Sequence, residues 1–471
     1  MKVADLTDEQ KKEICTRLIM CPKVKFNFGG GFGGYSNQST QVTSFPFFVE
    51  ENGELLLPYL FASQLLKVVP NQGIIRPKFS LPPLSFTGSL YEHQKPVAEE
   101  CWNQLLAYGT TTLCLRCAFG KSLLGCYLSY LITTKTKSNG IVCVLITRDI
   151  LLKQWYKTFS LNFTCKIWRV GEEQFPVGGC NVIICMALRW RHVPPEIRAQ
   201  VTILIVDEAH LFLTKGGVMP LLAWRPDYII IETATLEREN EMQCMAYALV
   251  GTHKIVRINE KPFTVIKYMV NIIPTRQMTR QNVPDYSVFI KSLADNPDYN
   301  KIIIDLVLFN INNPNFKILV MTKRVDHAIY LHSVLSGLGV STDYMVGPKK
   351  QYKDSKVLVS NISKLGVGFD SAMSALEYDG QPINLLILTT TIKSISTLEQ
   401  VVGRAQRANN PTIIQILAND KICENHWKLN KPWYSSRSGN ITIWDTIPKD
   451  PKGKPIVKQK SRTLQELTSG Q

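Results

Sequence analysis

The chain has 471 residues, with 54 Lys+Arg against 38 Asp+Glu and a formal net charge of +16; it is too long for one hydrophobic core and basic enough to favour a polyanionic partner over an acidic small molecule. With 45% hydrophobic and 20% charged residues it has the composition of an ordinary globular protein, and it contains neither an N-terminal apolar signal core nor a run of 18 apolar residues, so secretion and membrane spanning are not expected. Its twelve cysteines sit in apolar segments, as at Cys114, Cys126, Cys143 and Cys185, without the regular spacing of a disulfide scaffold; a reducing compartment is expected, and the lone C-x-x-C of Cys114 and Cys117 has no second pair to make a zinc site.

Residues 1–85 read as an N-terminal accessory module. A short helix is expected from Thr7 to Met20 and a strand over Lys23–Phe28, followed by the glycine cluster Gly29 to Gly34. That cluster formally satisfies G-x-G-x-x-G, but the poor helix formers after it remove the strand–loop–helix setting a dinucleotide site needs, so a loop or hairpin is expected. Strands at Phe45–Val49 and Leu55–Leu57 flank a turn at Glu51-Asn52-Gly53, and the four prolines between Pro70 and Pro83 read as a linker.

From residue 86 onward short apolar strands alternate with amphipathic helices, the pattern of a parallel α/β sheet. Thr111–Leu115, Ile141–Ile146, Asn181–Cys185, Val201–Val206 and Tyr228–Ile231 form one series, assigned to a domain at 86–258. Lys317–Met321, Lys356–Val359, Asn384–Leu388 and Thr412–Ile416 form a second, assigned to 301–420. The stretch 259–300 is expected to be a spacer. Residues 421–471 read as a basic tail with ten Lys+Arg and four Asp+Glu, either disordered or a nucleic-acid or nuclear-import segment. The fold class is therefore α/β, with two parallel-sheet domains in tandem.

Ala118-Phe119-Gly120-Lys121-Ser122 follows a strand and precedes a helix predicted over Leu123–Thr133, the setting in which backbone N–H groups and a helix N-terminus wrap phosphates. Lys121 is placed to reach the β- and γ-phosphates and Ser122 to ligand Mg²⁺. Leu115 and Ala118 stand where glycines are usual, so slowed turnover is expected. Alone, G-K-S is equally a surface lysine at a helix start. Asp207-Glu208-Ala209-His210, at the end of the apolar run Val201–Val206, supplies what the loop lacks: Asp207 to hold Mg²⁺ and Glu208 to polarise an attacking water. About two hundred residues later Gln400-Val401-Val402-Gly403-Arg404-Ala405-Gln406-Arg407 offers the opposite charge; a phosphoryl-transfer site needs both signs.

Together these segments resemble superfamily-2 helicases and translocases over roughly Tyr91 to Leu417. Residues 118–122 are similar to motif I and 207–210 to motif II in its DEAH form. Thr233-Ala234-Thr235 resembles the Ser-Ala-Thr of motif III, 363–370 motif V, and 400–407 motif VI. Weaker likenesses are Tyr91-Glu92-His93-Gln94, where a glutamine reads adenine, and Thr147-Arg148 with Gln154-Trp155, which resembles the first strand-contacting motif. The resemblance implies two RecA-like domains using ATP and Mg²⁺. Nucleotide would be held by Gln94, Ala118, Phe119, Gly120, Lys121, Ser122, Gly368, Asp370 and Gln400. Lys121, Asp207, Glu208, Arg404 and Arg407 would carry catalysis, with Arg407 as the finger, and Thr147, Arg148, Thr233 and Thr235 would touch the nucleic acid.

Within the superfamily the sequence is most similar to helicases of large DNA viruses, the poxvirus transcript-release helicase and its asfarvirus and iridovirus relatives. That likeness implies DNA, single-stranded or with a single-stranded tail, as substrate. It also implies a viral RNA polymerase or transcription complex as partner, and the host cytoplasm, its viral factories or the virion as location, the nucleus being the alternative. An RNA helicase and a non-catalytic nucleic-acid-binding transcription subunit are the competing expectations.

Overall fold

The computed structural model describes residues 2–22, 44–51, 53–67, 84–116, 119–136, 140–233, 242–258, 261–279, 284–365 and 371–447. The strand expected at 23–28, the glycine cluster, the proline-rich stretch and the terminus from 448 onward lie outside the described residues. The chain forms two compact units, the first ending at Arg257 and the second beginning at Ile258.

The first unit is built on seven parallel strands: β1 (Thr110–Leu115), β2 (Ile141–Ile146), β3 (Ile167–Arg169), β4 (Val182–Met186), β5 (Val201–Asp207), β6 (Tyr228–Thr233) and β7 (Ile255–Arg257). Their spatial order is β7-β1-β6-β5-β2-β4-β3. Every side chain of β1, β2 and β5 is buried. Helices cover both faces of such a sheet, which is why these strands are continuously apolar rather than alternating.

The N-terminal segment does not stand apart as a module. Its helix Asp8–Arg17 is closed by a capping box between Thr7 and Gln10, and Ile19–Met20 pairs antiparallel with Phe45–Pro46. Leu6, Ile14, Leu18, Phe47, Tyr59 and Phe61 then enter the same apolar cluster as Trp224, Met245 and Leu249 of the first unit. The Tyr59 hydroxyl donates to the Asp227 carbonyl at 2.6 Å, just ahead of β6. By joining its apolar residues to an existing core, the segment needs no separate core of its own.

The second unit repeats the plan with β8 (Phe263–Val270), β9 (Ile318–Thr322), β10 (Thr342–Met345), β11 (Val357–Asn361), β12 (Leu385–Leu388), β13 (Thr412–Ala418) and β14 (Gly439–Trp444). Their order is β10-β11-β9-β12-β13-β8-β14, again all parallel. Two sequence expectations are corrected here. The spacer at 259–300 holds β8, paired on both sides, and the helix Tyr286–Ala294, capped by Asp285. The described part of the tail is the helix Lys421–Ser436, capped by Asp420, and the edge strand β14, with Trp427, Trp433 and Tyr434 in the core. Charged residues on the exposed face of that helix had masked its apolar stripe. No described helix is long and apolar enough to cross a membrane, and Cys114, Cys126, Cys143 and Cys185 are buried core residues.

Candidate nucleotide site

In a parallel α/β sheet, ligands gather where strands end and helices begin. Leu115, Asp207 and Thr233 are the last residues of β1, β5 and β6. Leu115 is a buried strand residue, not a loop position in want of a glycine. The residue that must be glycine is Gly120, with φ +86°, where a Cβ would stand 2.5 Å from Gln94 Nε2. Ala118 lies outside the described residues.

The phosphate-loop backbone is tethered by the entry segment. Gln94, fully buried, donates through Nε2 to the carbonyls of Phe119 and Gly120 at 3.1 and 3.0 Å and accepts at Oε1 from the Tyr91 backbone N–H at 3.0 Å. The His93 ring stands edge-on to Phe119 at 4.8 Å and is stacked by Tyr91, which is 61% exposed. In the segment read as an adenine reader, the Gln94 amide is thus engaged within the protein, where it ties down the loop, and the exposed ring beside it is that of Tyr91.

Lys121 opens the helix Lys121–Thr136, and its Nζ donates to the Leu115 carbonyl at 3.2 Å, closing the loop upon itself. Ser122 Oγ accepts from Gln154 Nε2 at 3.3 Å, and Asp207 Oδ2 accepts from Trp155 Nε1 at 2.8 Å. Successive residues of the helix Asp149–Asn162 therefore touch Ser122 and Asp207. This revises the reading of Gln154-Trp155 as a strand contact: both side chains serve the phosphate-loop side. Burial first, and then the charge of Glu208, push the Asp207 carboxyl up to about 6, with the Trp155 N–H and the Lys121 ammonium opposing. A hydroxyl and a carboxylate are hard oxygen donors that fit Mg²⁺ with water completing its shell, so Ser122 and Asp207 are a chemically suitable pair.

Glu208 adopts the left-handed conformation, φ +52°, a strained state for a side chain with a Cβ and one that gathers at functional sites. It ends β5 and starts the turn Ala209–Leu211, which returns His210 toward β6. His210 Nδ1 sits 3.0 Å from Thr233 Oγ1 and 3.3 Å from Glu208 Oε2, linking motif II to motif III. Thr233 is accordingly buried and engaged, while Thr235 lies outside the described residues. Thr147 and the exposed Arg148 follow β2, at the same end of the sheet.

In the second unit the helix Ile395–Val402 carries the buried Gln400 and stops short of the arginines. Arg404 and Arg407 stand in the turn beyond it, not on a solvated helix face. Arg404 is buried and donates through Nε to the Leu365 carbonyl at 3.1 Å; Arg407 is half-buried. Gly368 and Asp370 lie outside the described residues. A cavity of about 350 Å³, not foreseen from the sequence, opens where β9, β11 and β12 end; Lys323, Lys393, Ser394, Thr397 and His426 are among its lining residues. Its lysines are separated by seventy residues in the chain, so no local pattern announces them.

No family model matches the chain. It is 22% identical to "Putative helicase 161L" of Invertebrate iridescent virus 6 over 422 residues, covering 83% of this chain and 90% of that one. Identity to "Putative helicase 055L" of Frog virus 3 is 26% over 400 residues, covering 82% and 86%. Identity to "Transcript termination protein A18" of Fowlpox virus is 26% over 379 residues, covering 71% and 77%. Among solved structures, S. cerevisiae Dbp5 bound to RNA and ADP BeF3 matches with a TM-score of 0.51 at 12% identity, covering 74% of this chain and 89% of that one. At that identity the match speaks for the fold, two RecA-like domains in tandem.

Proposed function

We infer that this chain, a superfamily-2 helicase distantly related to the iridovirus and poxvirus proteins above, hydrolyses ATP to move along or unwind DNA. The observation that carries the reading is the pair Gln154 and Trp155, adjacent on one helix and hydrogen-bonded to Ser122 and Asp207 respectively. It brings the end of β5 to the mouth of the phosphate loop although β6 separates β5 from β1.

Lys121 is then the cation for the β- and γ-phosphates, and Ser122 and Asp207 the residues that would hold Mg²⁺. The metal, when bound, supplies charge neutralisation at the phosphate oxygens. Glu208 orients the attacking water and takes its proton. Gln94, Phe119 and Gly120 form the nucleotide edge, and we assign Gly368, Asp370 and Gln400 to nucleotide contact on the family pattern. Arg404 donates one N–H to Leu365, and on the family pattern Arg407 is the candidate for the γ-phosphate. Arg407→Ala is expected to slow hydrolysis about a hundredfold with nucleotide affinity little changed, measured by phosphate release and by titration with a fluorescent nucleotide; equal loss of both would mark a folding defect instead.

Thr147, Arg148 and Thr235, with Lys323 and Lys393, are our candidates for the nucleic-acid face, with Thr233 acting through His210. Affinity carried by phosphate contacts falls steeply with salt. The poxvirus relatives are named for transcript termination; we propose that this chain serves a viral transcription complex with a viral RNA polymerase as partner, in the host cytoplasm or the virion, the nucleus being the alternative. ATPase assays with single-stranded DNA, tailed duplex, RNA and no nucleic acid separate the readings. Stimulation by DNA is expected. Stimulation by RNA alone would make the protein an RNA helicase, and an absence of turnover under every condition would favour a non-catalytic clamp.

A further inference from the structure

A glutamine selects adenine by a two-point pairing, its amide nitrogen donating to N7 and its amide oxygen accepting from the N6 amino group. Both halves of the Gln94 amide are committed elsewhere. Nε2 has two hydrogens to give, and it donates to the Phe119 and Gly120 carbonyls at 3.1 and 3.0 Å. Oε1 accepts from the Tyr91 backbone N–H at 3.0 Å, while the Gln94 backbone N–H donates back to the Tyr91 carbonyl at 2.9 Å. The residue is fully buried, so no part of the amide is presented to a base edge. Gly120 lies so close that a Cβ on it would stand 2.5 Å from Nε2. Turning the amide outward to read a base would take the donor away from two carbonyls of the phosphate loop, and that loss would fall on the backbone that wraps the phosphates.

What the segment presents at the surface is a ring. Tyr91 is 61% exposed and lies parallel to the His93 imidazole, with 5° between the planes and centroids 5.6 Å apart. His93 is itself fixed on the loop, its ring edge-on to Phe119 and its Nε2 3.2 Å from the Phe119 carbonyl. A Cβ on Gly120 would stand 3.9 Å from the Tyr91 ring, so the exposed aromatic borders the phosphate loop. We propose that the site takes nucleoside triphosphates with little regard to the base: the loop recognises the triphosphate, the base is held by stacking on Tyr91, and Gln94 is a positioning residue for the loop. The proposal rests on the ATPase reading. Stacking ignores the hydrogen-bonding pattern of a base, because every base has a π face. A site that does hydrogen-bond its substrate rejects the mismatched analogue by about 10⁴-fold or more.

Phosphate release by the full-length protein is measured with ATP, GTP, CTP and UTP in turn, with single-stranded DNA and with RNA present. The four values of kcat/KM should fall within about tenfold of one another. Tyr91→Ala should raise KM for ATP and GTP alike, by about tenfold, with kcat kept, and Tyr91→Phe should behave as wild type. Gln94→Ala, folded as judged by thermal melting, should lower the turnover of all four triphosphates by the same factor. A wild-type preference for ATP over GTP of more than about tenfold would overturn the proposal, and that comparison needs no variant to fold. So would a Gln94→Ala protein that loses ATP turnover but keeps GTP turnover, or a Tyr91→Ala protein with unchanged KM. Hydrolysis of none of the four triphosphates would instead overturn the reading on which the proposal rests.

Discussion

Glu208→Gln should lower ATP turnover by about 10⁴-fold, a barrier increase of about 5 kcal/mol, while nucleotide still binds. Glutamine keeps the shape and reach of the side chain but cannot take a proton, so the loss falls on the chemical step. The side chain is well placed for that role: it follows the last residue of β5, is mostly buried, and stands 3.3 Å from His210 Nδ1. Its left-handed backbone is unaffected by the exchange, so folding should be preserved. Phosphate release measured alongside binding of a fluorescent nucleotide checks the result. Turnover within tenfold of wild type would remove Glu208 from the mechanism and point to another base.

Lys121→Ala should cost about 10³-fold in turnover and weaken nucleotide binding as well, because the ammonium faces charge present in both the ground state and the transition state. The hydrogen bond to the Leu115 carbonyl is lost, worth about 1 kcal/mol, and a loss of that size moves the melting temperature by only a few degrees. The two variants differ in diagnosis: Glu208→Gln leaves a protein that holds ATP, whereas Lys121→Ala leaves one that binds it poorly. Full activity in Lys121→Ala would show that the phosphates lie elsewhere.

The parts of the site that were readable in the sequence are those whose chemistry is local. Gly120-Lys121-Ser122 at a strand-to-helix junction, and Asp207-Glu208 at the end of an apolar run, each declare themselves within ten residues. Gln154 and Trp155 show in the sequence only as a likeness to a strand-contacting motif; their hydrogen bonds to Ser122 and Asp207 exist only once the phosphate loop, the helix Asp149–Asn162 and β5 have been stacked.

The same distinction runs through the fold. Interior strands such as β1, β2 and β5 are covered on both faces, so their residues must be continuously apolar, and that pattern is written in the chain before it folds. Edge strands β3, β7, β10 and β14 are short or keep one side exposed, and β8 beside one of them has one side only half-buried; their extended form depends on hydrogen bonds lent by a neighbour already in place. By itself, then, the sequence determined an α/β chain with two parallel sheets and the residues able to handle phosphate, metal and water. Tertiary structure decided where the sheets end, that the N-terminal segment closes the first core, and which buried neighbours hold Asp207, because burial and register are properties of packed elements and of no single segment.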